Sequence, residues 1–160
     1  MERVMFTRVG YDSLMSKLEQ MQGPARREVA AELEEARSHG DLRENADYDA
    51  AKEKQGMLEA NIRLIEDQLA RALVVENEQI DTETVSFGTV VELQNIETDN
   101  IYKYQIVGEL ESDLEKGKIS VTAPIIAAVM GCEVGDIEDV QTPQGVQSLE
   151  VISITLPSRD

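Results

Sequence analysis

Apolar residues recur every three or four positions through most of the first half of the chain. Such spacing places them on one face of a helix. The first set is Tyr11, Leu14, Leu18, Met21, Ala25, Val29, Leu33 and Ala36. A second, mostly apolar set is Tyr48, Ala51, Gln55, Leu58, Ile62, Ile65, Leu69, Ala72 and Val75. The pattern predicts two helices, over residues 11–38 and 46–75, each extending roughly 40–45 Å at about 1.5 Å per residue.

Glycine and proline mark two interruptions of this pattern. Gly23 and Pro24 predict a kink or short break in the first helix, because proline lacks a donor and restrains the residue before it. The apolar stripe keeps its phase there, so the direction should continue. Gly40 predicts a helix end, and Arg37 and His39 suit the dipole of the last turn. Only a tight turn fits between the stripes, so the helices are expected to be antiparallel neighbours.

The second half changes to β-favouring segments, among which apolar and polar residues alternate in places. Predicted strands cover residues 85–93, 101–107, 118–121, 138–141 and 148–155, and a short helix covers 125–130. The chain is therefore predicted to be α+β, with a long antiparallel helical hairpin followed by a small domain that contains an antiparallel sheet.

Charge separates the same two halves. Residues 1–77 contain 16 acidic and 11 basic residues, a net charge of −5, whereas residues 78–160 contain 16 acidic and 4 basic residues, a net charge of −12. This shift predicts a domain boundary near residue 77, with domains at 1–77 and 78–160. The overall net charge of −17 argues against general binding to a nucleic-acid backbone, which needs clustered Lys and Arg.

Cysteine content and hydropathy indicate the cellular compartment in which the protein is expected. Cys132 is the only cysteine, so no intramolecular disulfide is possible, and a small buried side chain in a reducing compartment is the favoured interpretation. The first ten residues contain no apolar core of a secretory signal. The apolar run from Pro124 is too short to span a bilayer. We expect a soluble cytoplasmic protein without a membrane partner.

Two carboxylates, Asp41 and Glu44, follow directly after Gly40, and two interpretations are open. Their spacing fits a capping box, with Asp41 as N-cap and Glu44 at the third helical position. Alternatively, acids three positions apart lie on the same side of a helix, within reach of one cation. Mg²⁺ typically takes one or two carboxylates and keeps other positions for water and phosphate. Two exposed carboxylates do not form a catalytic site alone, so in this interpretation they complete a partner's site.

The segment GDLRENADYDAAKE, residues 40–53, resembles the hairpin-tip signature of the bacterial Gre transcript-cleavage factors, a transcription elongation family. The likeness extends to EEARSHG before it and EANIRLIEDQLARA after it. In the second half it includes FGTVVEL, YQIVGELESD, ISVTAP, GCEVGD, VQTPQG and VISI. The resemblance covers nearly the whole chain and is closer to the GreA branch than to the GreB branch.

This resemblance implies a coiled-coil hairpin followed by an FKBP-like domain. It also implies a protein that is no enzyme itself but stimulates the transcript cleavage of bacterial RNA polymerase. The hairpin would enter the polymerase secondary channel and reach the extruded 3′ end of the nascent RNA. Asp41 and Glu44 would help hold a second Mg²⁺ that is shared with the polymerase; the protein alone would need no cofactor. We expect a monomer.

Further roles follow from the same resemblance. Arg37 and Lys52 match a basic patch that would contact RNA, although basic groups on a helix face are usually only solvated. Tyr48 would pack the tip against the first helix, with a purely structural role as the alternative. The turn Thr122-Ala123-Pro124 would dock on the polymerase; the family commonly has Asp-Ser-Pro or Asn-Ser-Pro there.

Three other functions remain to be weighed. A Gre-fold inhibitor would plug the channel without stimulating cleavage, but it would not need both Asp41 and Glu44. A prolyl isomerase needs an aromatic-lined pocket, and residues 78–160 offer only Phe87, Tyr102 and Tyr104. A simple coiled-coil adaptor would not need the tip signature.

Overall fold

The structure, a computed structural model, describes residues 2–40 and 45–157. It divides into two compact units. Tyr11–Ala72 form what we call the helical unit, while Glu2–Gly10 and the residues from Leu73 onward form the sheet unit. The predicted boundary near residue 77 stays a prediction. The grouping adds that the first residues lie with the sheet unit, because Thr7 is hydrogen-bonded to Glu111 through both its backbone amide and its hydroxyl.

Three long helical segments follow an initial strand. Strand β1 spans Val4–Thr7, and helices α1, α2 and α3 span Arg8–Gln20, Arg26–Arg37 and Ala46–Ala70. Among the described residues, no helix is long and apolar enough to cross a membrane. Helix α3 alone has 25 residues and extends about 37 Å. The predicted helical hairpin is thus confirmed.

The apolar stripes pack against each other in antiparallel order. Leu18 and Met21 form one buried cluster with Ile62 and Ile65. Further along the first stripe, Val29, Leu33 and Ala51 form a second buried cluster, with Tyr48 and Leu58 packed against it. Contacts therefore move backward along α3 as the chain advances through α1 and α2, which is the arrangement that a tight turn requires.

The predicted interruption at Pro24 is a π-helical turn over Met21–Ala25. Proline offers no backbone N–H and its ring crowds the carbonyl one turn earlier, so a regular α-helix cannot accommodate it without a kink or a bulge. The wider turn accommodates Pro24 while the residues on both sides, Gln20 and Arg26, keep helical dihedral angles. The helix direction continues and Met21 stays in the core.

Exposed ion pairs cross between the helices. Both Arg26 Nε and Nη2 lie 2.9 Å from the Glu59 carboxylate, and Lys54 Nζ lies 2.9 Å from Glu32. The hydrogen bonds from Arg26 lower the pKa of Glu59 below its usual range. Because these groups are solvated, each ion pair contributes little to the stability of the fold. The pairs do show which residues of the two helices lie opposite each other.

The predicted end of the second helix at residue 75 was wrong. Helix α3 ends at Ala70, and Ala72–Val75 form strand β2, which pairs with β1 in a two-stranded sheet. The segment ALVV keeps helical spacing with the preceding stripe, yet its two valines favour extended backbone. The strands predicted from the sequence did not include β1. Pairing with β1 is what gives residues 72–75 an extended backbone instead of a helical one.

The second sheet has five strands in the order β5-β4-β3-β7-β6. The strands are β3 Val90–Asn95, β4 Ile101–Val107, β5 Lys118–Ser120, β6 Ile137–Thr142 and β7 Gly145–Thr155. Adjacent strands are antiparallel except β4 and β5, which are parallel. The predicted antiparallel sheet is thus confirmed for three of the four strand pairs, and the β4–β5 edge pair differs from it. A connection through two 3₁₀ turns, Glu109–Glu111 and Leu114–Lys116, returns the chain to the start of β5.

The predicted first strand of this domain, residues 85–93, begins later in the structure, at Val90. Val85 and Phe87 are buried as the apolar pattern suggested. Gly88, however, has φ of +90°, so the chain turns before the strand starts.

Helix α4, Pro124–Val129, covers one face of the five-stranded sheet. Its fully buried Ile126 and Val129 join a core with the inward residues of the sheet, including Val91, Leu93, Ile106, Leu149 and Val151. Cys132 is a buried free thiol in this cluster, and desolvation, reinforced by nearby carboxylates, raises its pKa. The opposite face of strands β3, β4 and β5 carries mainly polar side chains.

Candidate functional site

The connection between α2 and α3 begins at a helix end and a left-handed glycine. Ser38 is the C-cap of α2, and Gly40 has φ of +122°, a conformation that residues with a Cβ rarely adopt. His39 Nδ1 lies 3.4 Å from Asp47 Oδ2 in the first turn of α3. This exposed contact joins the two helix ends on either side of the connection.

Asn45 fixes the far end of the connection. Its side-chain oxygen accepts a hydrogen bond from the Tyr48 amide at 3.0 Å, which makes it the N-cap of α3. Its side-chain amide donates to the Ala36 carbonyl near the end of α2. The residue is buried, at 9% exposure. Its side-chain oxygen and nitrogen are both hydrogen-bonded, so Asn45 bridges the start of α3 and the end of α2.

The prediction that Asp41 caps the second helix was wrong, because α3 begins at Ala46 behind the Asn45 cap. Asp41 and Glu44 themselves lie outside the described residues. The chain sequence places them between Gly40 and Asn45, so the segment that contains both acids starts at a left-handed glycine and ends at a buried, doubly hydrogen-bonded asparagine. Within the described part of the chain, no group of three or more His, Cys, Asp or Glu residues could hold a metal ion.

Tyr48 packs at the base of this connection. It lies against the buried cluster of Val29, Leu33 and Ala51. The guanidinium carbon of Arg37 lies 5.9 Å from the centre of the Tyr48 ring, within the range of a cation–π contact. Tyr48 therefore contacts the first half of the hairpin, in agreement with the predicted packing.

The two basic residues singled out by the sequence lie on the same side of the hairpin. Arg37 is exposed above the Tyr48 ring. Lys52 is exposed one helical turn after Tyr48, with Nζ 3.5 Å from Gln55 Oε1. The structure thus places Arg37 over the Tyr48 ring and Lys52 one helical turn further along α3.

Comparisons with known proteins agree across both halves of the chain. Residues 4–74 match the family described as "Transcription elongation factor, N-terminal", and residues 80–156 match "Transcription elongation factor, GreA/GreB, C-term". The chain belongs to the GreA/GreB family. It is 46% identical to transcription elongation factor GreA of Phenylobacterium zucineum over 154 residues, which cover 96% of this chain and 98% of that protein.

A second relative of the same name gives the same result. Transcription elongation factor GreA of Neisseria meningitidis is 43% identical, over 96% of this chain and 98% of its own length. The crystal structure of GreA factor homolog 1 from Thermus thermophilus is 30% identical, covers 96% of this chain and 99% of its own, and has a TM-score of 0.44. The family assignment rests on the sequence matches.

The turn Thr122-Ala123-Pro124, which the sequence resemblance predicts to be a docking site, leads into α4. The hydroxyl groups of Ser120 and Thr122 share a hydrogen bond of 2.7 Å, and Ser120 Oγ also accepts from the Thr122 amide. Ala123 is the N-cap of α4 without a side-chain hydrogen bond, and Pro124 is the first helical residue. Thr122 and Pro124 are exposed, whereas Ala123 packs on the core.

Sequence analysis missed Asn45, although the signal for it was present. Asn is among the best N-cap residues, and Asp47 and Asp49 in the following turn suit the positive end of a helix. The same segment also offers Asp41 in a capping-box spacing. The choice between the two caps depends on backbone dihedral angles that spacing alone does not determine.

Proposed function

We propose that this chain is a transcription elongation factor that rescues backtracked or arrested RNA polymerase by stimulating cleavage of the nascent RNA 3′ end. The family match over residues 4–74 and 80–156 supports the general function. The observation that carries the finer proposal is the Asn45 cap. Because α3 has this cap, Asp41 is not needed as its N-cap, which supports the metal-binding interpretation of the two acids.

In this proposal bacterial RNA polymerase is the partner, and the hairpin enters its secondary channel to reach the 3′ end of the RNA. A helix of 25 residues, about 37 Å long, suits such a reach. The factor acts as a monomer in the cytoplasm and contributes no active site of its own. The polymerase carries out the cleavage.

Asp41 and Glu44 would be the residues that hold a Mg²⁺ shared with the polymerase. Two carboxylates suit this ion, which usually keeps several positions for water and phosphate oxygens. When bound between partners, the ion would supply charge stabilisation for phosphodiester hydrolysis. The part of the two acids would be to offer negative charge to this ion.

Arg37 and Lys52 would contact the phosphates of the extruded RNA. Their positions near Tyr48 support this, because both charges are exposed and that of Arg37 lies over an aromatic ring. A preoriented cation loses less conformational entropy on binding than a free side chain does. The contact would hold the RNA near the acids.

The second domain, residues 78–160, would dock at the channel rim through Thr122, Ala123 and Pro124, and residues 1–77 would form the channel-inserting domain. The exposed Thr122 and Pro124 beside the rigid start of α4 support this role. The hydroxyl lost at Ala123, relative to the serine common in the family, is partly replaced by that of Thr122, which is hydrogen-bonded to Ser120.

The proposal is tested by adding the full chain to a backtracked elongation complex and following the RNA length. The wild type should shorten the RNA. Asp41→Asn with Glu44→Gln should lower the cleavage rate by on the order of 100-fold or more, since removing preorganised charge near a reacting phosphate has effects of this size. The control is Asp49→Asn with Glu53→Gln, an equal charge change at exposed positions of α3, which should cleave normally.

Two outcomes would contradict the proposal. Normal stimulation by the Asp41 and Glu44 variant would remove their role in cleavage. A wild type that binds the polymerase and leaves the RNA at full length would indicate the inhibitor function instead.

A further inference from the structure

The sheet unit contains a cavity of about 410 Å³ on the face of the five-stranded sheet opposite α4. This volume lies within the range of small-molecule sites, about 300–1,000 Å³. All of its lining residues belong to the sheet unit. The proposed cleavage function uses none of them.

Three lysines line this cavity: Lys103, Lys116 and Lys118. Residues 78–160 contain only four basic residues, so three of the four gather at one place in a domain whose net charge is −12. Between described residues, no ion pair involves any of the three. By contrast, Arg26 and Lys54 of the helical unit are both paired with glutamates.

The sheet register explains why these lysines converge. Val90 of β3 pairs with Gln105 of β4, and Gln105 pairs with Lys118 of β5, so the three side chains form one row across the sheet. Lys103 lies two residues before Gln105 and therefore on the same face. Neighbouring strands are about 4.8 Å apart and two residues span about 6.6 Å, so Lys103 and Lys118 can reach one ligand.

The rest of the lining has two kinds of surface. Val9, Val90 and Pro157 provide apolar contacts. Thr7 provides a fixed polar wall, because its hydroxyl donates to Glu111 Oε1 at 2.6 Å and accepts from the Gly10 amide at 3.1 Å. A lysine row beside an apolar wall fits a ligand with a charged part and an apolar part.

One carboxylate competes for these charges. Glu92 lies opposite Lys103 in the β3–β4 register. It accepts a hydrogen bond from the Ser153 hydroxyl at 3.3 Å and does not line the cavity. Glu92 should therefore weaken the binding of an anion without blocking the site, and its removal becomes a test.

From this arrangement we infer that the cavity binds a nucleoside polyphosphate, with its phosphates on Lys103, Lys116 and Lys118 and its base and sugar against Val9, Val90 and Pro157. Lysine is a common phosphate ligand that acts as a point charge, and three such charges at one place suit a polyphosphate, which carries several negative charges, better than a single carboxylate. The convergence of lysines therefore favours phosphate over a carboxylate ligand. The site is separate from the proposed cleavage function, and the free protein suffices to test it.

The test is calorimetric titration of the full chain with adenosine diphosphate, inorganic pyrophosphate and adenosine as probes. We expect one saturable site for adenosine diphosphate, weaker binding of pyrophosphate, and no binding of adenosine. Affinity should fall when ionic strength is raised to about 0.15 M, where the screening length is about 8 Å.

The variants make the result specific. Lys103→Gln with Lys118→Gln should weaken adenosine diphosphate at least about tenfold, since each close charge contributes on the order of a factor of five in a solvated site. Lys17→Gln, an exposed lysine of α1, is the control for the chemical change and should leave the affinity unchanged. Glu92→Gln should strengthen binding by a few-fold. Circular dichroism checks that each variant is folded.

The inference is overturned if adenosine diphosphate shows no saturable binding, or if the Lys103 and Lys118 variant binds as tightly as the Lys17 control. If pyrophosphate binds as tightly as adenosine diphosphate, the apolar contacts with Val9, Val90 and Pro157 contribute nothing, and the assignment of the base and sugar to them is wrong. None of these outcomes bears on the proposed transcript cleavage, which uses none of the residues that line the cavity.

Discussion

Replacing Asn45 by alanine should destabilise the helical unit, because Asn45 caps α3 and also contacts α2. Loss of the N-cap costs about 1 kcal/mol. The Ala36 carbonyl also loses the Asn45 donor but keeps the His39 amide at 3.1 Å, so this second loss costs about 0.5–1.5 kcal/mol, the net value of one hydrogen bond. The expected loss of unfolding free energy is therefore about 1.5–2.5 kcal/mol, a sizeable fraction of the 5–15 kcal/mol typical of a folded protein.

Asn45→Asp separates the two contacts. Aspartate keeps an oxygen for the Tyr48 amide and remains a good N-cap, but it offers no donor to the Ala36 carbonyl. We expect this variant to stay folded with an intermediate stability. At saturating factor it should stimulate cleavage more slowly than the wild type and still compete normally for the polymerase, because only the placement of the acids is changed.

The assays are urea unfolding followed by helical circular dichroism, and cleavage of a backtracked complex. Asn61→Ala is the matched control, because it removes the same atoms from an exposed position of α3 and should change stability by no more than about 0.5 kcal/mol. If Asn45→Ala is as stable as Asn61→Ala, the bridge between the helices contributes nothing and the reasoning fails.

Three further predictions concern charge and docking. Arg26→Gln should raise the pKa of Glu59, as measured by carboxyl NMR titration. Because the fold lowers the Glu59 pKa, this ion pair stabilises the protein above the usual glutamate pKa. The stabilisation is lost as pH falls through the lowered pKa. An unchanged Glu59 titration would contradict this. Arg37→Gln with Lys52→Gln should weaken the stimulation of cleavage at subsaturating factor more than either change alone. Unchanged stimulation by the double variant would contradict the proposed RNA contact. Substitution of Pro124 by glycine should raise the factor concentration needed for half-maximal cleavage without changing the saturated rate; an equal loss at saturation would contradict a pure docking role.

The helical hairpin was predictable because its apolar residues repeat over many turns, so that the period is unambiguous. The end of α3 was not predictable in the same way. Ala72–Val75 keep the helical phase, and only their pairing with β1 gives them an extended backbone. The parallel edge of the sheet was missed for a similar reason, because strand direction is set by the connection through 109–116 and not by alternation within β4 or β5.

The candidate site was partly predictable. The family resemblance singled out Arg37, Tyr48 and Lys52, and the structure places Arg37 over the Tyr48 ring and Lys52 one helical turn after Tyr48. The capping-box interpretation named Asp41 and not Asn45, because both residue types are favoured N-caps and spacing alone does not show where α3 begins. The lysine cavity was invisible in the sequence, since Val90, Gln105 and Lys118 meet only through strand register.

The central claim is that Asp41 and Glu44 contribute to a Mg²⁺ site that exists only in the complex with the polymerase. The most direct measurement is the Mg²⁺ concentration that gives half-maximal cleavage of a backtracked complex, with the factor at saturation. The wild type should lower this concentration relative to polymerase alone, and Asp41→Asn with Glu44→Gln should return it to the polymerase value while the variant remains bound. The same Mg²⁺ dependence with wild type and variant would contradict the account.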